Sequence, residues 1–167
     1  MQISTPTTSR LESIPDGPRG TRVTLDYMRA FAREGKTALP VRMLALRLVR
    51  HLPQKDWAGQ VRVIHAFVRD KIRYVKDVRG VETLQTPEKT LEIGQGDCDD
   101  KSTLTAALLE SIGHPTRFIA VGFAPGSFSH VLVETKIGSK WVPLETTEPV
   151  PVGWFPRGVV TRMRVNN

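Results

Sequence analysis

Apolar residues recur at threes and fours as far as about residue 72 and then, in the last third of the chain, alternate in short runs, so the sequence predicts helices first and strands last. A first helix runs from Thr24 to about Arg33, with Gly35 as its stop. A second runs from Leu39 to Leu52, with Pro40 in its first turn and Pro53 closing it. Asp56 caps a third helix whose residues Trp57, Val61, Ile64, Val68 and Ile72 form a core-facing stripe, with Phe67 alongside and Arg62, Arg69 and Arg73 on the opposite face. Residues 75–96 keep neither period and read as an irregular surface segment, of a length that is often functional. The run DCDDKSTLTAALLESIGH then predicts a helix with Leu104, Ala107, Leu108 and Ile112 on one side, acidic residues at its start and Gly113 at its stop.

Strands follow at Arg117–Phe123, His130–Ile137, Lys140–Thr146 and Val159–Val165. Helices followed by antiparallel strands make an α+β fold rather than a series of βαβ units. Pro143 cannot donate to a ladder, which places its strand near an edge or a bulge. Gly138-Ser139 fits a two-residue type II′ turn, and that turn pairs Ile137 with Lys140 and Val133 with Leu144. The same register makes His130 and Glu145 diagonal neighbours on one side of the sheet, within reach of each other.

The length of 167 residues, with 40% hydrophobic and 25% charged, suits one domain spanning 1–167, with the Thr/Ser/Pro-rich first nine residues as a frayed terminus. No apolar run suits a signal sequence or a membrane span, so the expectation is a soluble, unexported protein of the cytoplasm, without a membrane partner. The single cysteine excludes an internal disulfide and a CxxC zinc site. Net charge is +7 and uneven: residues 1–80 carry 16 basic and 7 acidic groups, residues 81–167 carry 8 and 10. The basic half reads as a solvated surface, with weak, sequence-independent nucleic-acid binding through Arg62, Arg69 and Arg73 as the alternative.

Candidate chemistry concentrates at Cys98, which opens the predicted helix where free N–H groups and the helix dipole favour a thiolate. Asp97, Asp99 and Asp100 oppose this by raising the thiol pKa, so the position needs a cationic partner. His51, His65 and His114 have structural explanations: a helix end, a mostly polar helix flank, and a position after a terminal glycine. His130 differs, because it opens an apolar strand where a ring needs a specific partner. Cys98, His130 and Glu145 are the parts of a nucleophile, base and orienter; a buried cysteine beside a structural His–Glu pair is the other reading of the same residues. The three aspartates read as helix capping rather than as a metal site, and no cofactor motif is present.

The runs GDCDDKSTLTAALLESIGHPTRFIAVGF, SHVLVET and KWVPLETT resemble the core of the transglutaminase-like superfamily of papain-like cysteine enzymes, over about Ile72 to Pro149. The resemblance implies a papain-like fold, with a helical N-terminal part and a Cys-bearing helix packed on an antiparallel sheet. It implies Cys98 as nucleophile, His130 as base and Glu145 as orienting acid, in place of the family's usual Asp and close to Thr147 and Glu148. No upstream oxyanion residue is plain; the N–H of Cys98 offers one donor and Gln95 a second. The implied activity is a cysteine peptidase or amidase working through an acyl-enzyme on a protein or peptide substrate, without a cofactor. Acyl transfer to an amine is the alternative, as is a non-catalytic interaction protein keeping the fold. Compact members of this kind are frequent in bacteria and bacteriophages, which makes the host cytoplasm or a virion the expected location.

Overall fold

The computed structural model describes residues 13–77 and 83–167, so the first nine residues lie outside it, as do residues 78–82 of the segment read as irregular. Three helices come first: α1 (Gly17–Gly35), α2 (Leu39–Val49) and α3 (Trp57–Lys71). A short unit follows, made of β1 (Arg73–Tyr74), α4 (Pro87–Ile93) and β2 (Gln95–Gly96). Helix α5 (Cys98–Ser111) leads into β3 (Thr116–Gly122), β4 (His130–Ile137), β5 (Lys140–Leu144) and β6 (Thr161–Asn166). The last four strands form an antiparallel sheet in the order β5-β4-β3-β6, and β1 pairs with β2 in parallel. This is the α+β arrangement that the change of period predicts.

Helix α5 is the centre of the molecule. Helices α1, α2, α3 and α4 pack around it, and β3 and β4 cover its remaining side. A one-sided apolar stripe predicts an amphipathic helix, yet every residue from Asp100 to Leu109 is buried. The polar ones are tolerated because their donors are used: Thr103 and Thr105 donate to the carbonyls of Asp99 and Lys101, and Ser102 to that of Val131 on β4. Lys101, 1% exposed, donates to the carbonyls of Arg69 and Ile72 at the end of α3, which lack helical partners. Leu25, Met28, Val41, Ala45, Val61, Ile64 and Val68 of the outer helices meet Leu104, Leu108, Phe118, Val131 and Leu144 in one core. The far face of the sheet carries a second cluster, Ile119, Val121 and Leu132, under Phe155 and Val159.

Several elements depart from the sequence pattern. Helix α1 begins at Gly17 rather than Thr24, with Pro18 in its first turn, because Gly20 lets it pack on Pro15: a Cβ there would lie 1.7 Å from the Pro15 carbonyl oxygen. The segment 75–96 contains α4, capped by Thr86 and closed by Gly94 in the left-handed region. Trp57 of the predicted core stripe is 52% exposed and makes an edge contact with His114. Arg73 lies in β1, not on the helix face, and binds Gln95, while Arg69 is held by Asp70 and the Val150 carbonyl. Two of the three arginines offered to a phosphate backbone thus have protein partners.

Candidate active site

Cys98 is the first residue of α5, and its position is set by the cap before it. The Asp97 carboxylate accepts the N–H groups of Asp99 and Asp100, and Asp100 returns a bond to the N–H of Asp97, a reciprocal capping box. The cap leaves the N–H of Cys98 itself unused. Asp100 also takes the backbone N–H and side-chain amide of Gln85 at 2.8 Å each, tying the chain before α4 to the helix start. Gly96 is required by that closeness, since a Cβ would lie 2.5 Å from Asp100 Cβ.

The opposite wall comes from the hairpin. Ile137 pairs with Lys140 and Val133 with Leu144, and Gly138 has φ 63, as the type II′ register requires. Pro143 lies on edge strand β5, and the ladder ends at Leu144. One residue on, Glu145 is 1% exposed, and its Oε2 lies 2.6 Å from His130 Nε2. Its Oε1 accepts the N–H and the hydroxyl of Thr147, each at 2.7 Å. Burial works against the carboxylate charge, but the bonds from His130 and Thr147 outweigh it and hold the Glu145 pKa below the ordinary value. Glu148, the neighbouring acid, is exposed.

His65 is a further member that sequence reasoning placed on a polar flank. It is 1% exposed, and its Nε2–H donates to the main-chain carbonyl of Glu145. Burial lowers its pKa more than that carbonyl raises it.

Cys98 and His130 meet through the start of β4. The N–H of Val131, next to His130, favours the charged form of the Cys98 sulphur, while Ser102, one helical turn from Cys98, holds the carbonyl of the same Val131. The thiol donates to Asp99 Oδ1 at 3.4 Å; among the described residues no hydrogen bond joins it to the His130 ring. Burial first, then the charges of Asp99 and Asp97, push the Cys98 thiol far up, and the Val131 N–H works the other way. The helix terminus alone does not make a resting thiolate here. Asp97 is itself pushed up to about 6 by burial and by Asp100.

Cys98 and His130 line a cleft of about 950 Å³, together with Tyr74, Asp77, Ser129 and the N-terminal turns of α1. Tyr74 is half-exposed and lines the cleft with Cys98, and burial, followed by the charges of Cys98 and Asp97, raises its pKa. Gln95 does not line the cleft; its Oε1 accepts from Arg73 at 2.6 Å. Tyr74 gave no sequence signal, because it lies in a two-residue strand without periodicity. Donor atoms of Asp97, Cys98 and Asp99 lie within 4.8 Å of one another, but Asp97 is engaged in the cap and Asp99 by the thiol.

The model of the transglutaminase-like superfamily matches residues 42–146, more than half of the chain, and the protein belongs to that superfamily. Solved structures share its fold at low identity. A "Putative Cysteine Protease" of Cytophaga hutchinsonii is 18% identical with a TM-score of 0.54, covering 77% of this chain and 46% of its own. A "Putative Protease" of Parabacteroides distasonis is 14% identical with a TM-score of 0.62, covering 88% of this chain and 32% of its own. Legionella pneumophila LapG is 16% identical with a TM-score of 0.51, covering 72% and 73%. The chain therefore spans less than half the length of the first two. No curated protein matches the sequence. No helix among the described residues is long and apolar enough to cross a membrane.

Proposed function

We propose that the protein is a cysteine peptidase or amidase in which Cys98 is the nucleophile, His130 the general base and Glu145 the orienting acid. The observation that carries this reading is the 2.6 Å contact between His130 Nε2 and a buried carboxylate, with His130 on the wall of a cleft that the only cysteine of the chain also lines. Glu145 keeps the Nε2–H tautomer and leaves Nδ1 as the basic nitrogen. Because the resting thiol donates to Asp99 and its pKa is raised, the sulphur is activated during attack rather than beforehand. His130 Nδ1 takes the thiol proton as the C–S bond forms, and the N–H of Cys98 is the donor for the developing oxyanion, with Tyr74 on the wall of the same cleft as the candidate second donor. Collapse breaks the C–N bond, His130 returns the proton to the departing amine, and a thioester remains on Cys98. Water, deprotonated by His130, then releases the acid and restores the thiol.

Protease-named structures of the same fold support a protein or peptide substrate. Hydrolysis is favoured over transfer to an amine because water needs no binding feature. One observation favours a second reading, in which the fold is kept without turnover: the thiol is bonded to Asp99 and not to His130. A panel of fluorogenic peptides separates the two. The enzyme reading predicts cleavage lost in Cys98→Ala; no cleavage of any peptide, with alkylation of Cys98 as slow as that of a buried thiol, supports the second. An added amine that ends up in the product would assign acyl transfer.

A further inference from the structure

The outer side of α2 presents an apolar ridge to solvent. Leu39, Met43 and Leu46 are 71%, 51% and 45% exposed, and Arg50 continues the line at the end of the helix. Their spacing of four, three and four places them along one helix face, at the d, a, d and a positions of a heptad. On that frame Arg42 occupies g and Arg47 occupies e, so an arginine borders the ridge on each side. The opposite face explains why α2 is fixed in this rotation: Val41 and Ala45 are fully buried, and Leu44 and Leu48 pack on the same core. Helix α2 contains no acidic residue, and among the described residues neither Arg42 nor Arg47 forms an ion pair. Single exposed apolar side chains are ordinary on protein surfaces. A heptad seam with unneutralised arginines at both e and g has the pattern of one half of a paired interface.

We propose that α2 docks an amphipathic helix of a partner protein whose apolar stripe is bordered by Glu or Asp. Charge decides between occupants. A second copy using the same face would set Arg42 and Arg47 against their own counterparts. Nucleic acid would engage the arginines but press the ridge against phosphates. A lipid surface would receive only three apolar side chains from an eleven-residue helix that carries no aromatic residue. An acidic helix satisfies ridge and flanks together. No residue of α2 lines the cleft, so the docked helix leaves Cys98 accessible and the surface is independent of the proposed chemistry.

The test uses the full chain and a labelled three-heptad peptide with Leu at a and d and Glu at e and g, read by fluorescence anisotropy. The parent binds, and Met43→Glu weakens binding by at least about tenfold. Arg42→Glu with Arg47→Glu weakens it likewise and gains affinity for the same peptide carrying Lys at e and g. All of these positions are solvent-facing, and unchanged thermal melts verify the fold. The proposal is overturned if the parent binds neither peptide, if it binds both equally, or if the variants bind as the parent does. It is also overturned if phosphatidylserine vesicles or duplex DNA compete for the ridge more strongly than the acidic peptide and lose binding through Met43→Glu.

Discussion

His65 on α3 donates to the main-chain carbonyl of Glu145, whose side chain in turn holds His130. The helical layer thereby sets the height of the carboxylate that β5 delivers. His65→Leu leaves a buried carbonyl unpaired, at a cost of about 1–3 kcal/mol, and should lower kcat more than a surface substitution of equal stability effect. His65→Gln, which keeps a donor, should recover part of the loss.

The same histidine sets a pH dependence. Because burial lowers the His65 pKa from 6.5, the unfolded chain takes up that proton first, and the His65 contribution to stability falls as pH drops below about 6.5. Urea melts across this range should show a shallower decline in His65→Leu than in the parent. An identical decline would remove His65 from the account.

Glu145→Gln should cut turnover by ~10²–10⁴ by analogy with Ser-His-Asp sites, with less effect on folding. Thr147→Val removes one of the bonds that aim the carboxylate and should cost several-fold, whereas exposed Glu148→Gln should be neutral. Steady-state rates that depend on Glu148 and not on Glu145 would contradict the assignment.

Asp99 accepts the thiol hydrogen bond and stands before Asp97 among the charges that raise the Cys98 pKa. Alkylation followed against pH should therefore show the midpoint falling in Asp99→Asn, and falling less in Asp97→Asn. Equal midpoints in parent and Asp99→Asn would mean that Asp99 does not restrain the thiol.

Much of this candidate site's geometry is legible in the sequence, because its parts sit where local rules are strict. A two-residue turn at Gly138-Ser139 fixes register, so the nearness of His130 and Glu145 followed from parity along two strands. Cys98 at a helix start followed from the acidic cap. What escaped depends on tertiary packing. His65 looked polar-flanked because Arg62, Arg69 and Asp70 surround it in sequence, yet the packing of α3 against the end of β5 buries it. Tyr74 and α4 escaped because elements of two and seven residues carry too few positions to show a period. The full burial of α5 escaped for a related reason: Ser and Thr next to one another look solvated until their hydroxyls are seen bonding backbone carbonyls.

The central claim, that His130 activates Cys98 to form an acyl-enzyme, is tested most directly by acid-quenched intact-mass spectrometry of the protein mixed with p-nitrophenyl acetate at neutral pH. The account predicts one acetyl group, mapped to Cys98, formed at least roughly a hundredfold faster in the parent than in His130→Ala, in line with general-base contributions. Acetylation at equal rates in the two proteins, or at a residue other than Cys98, would contradict it.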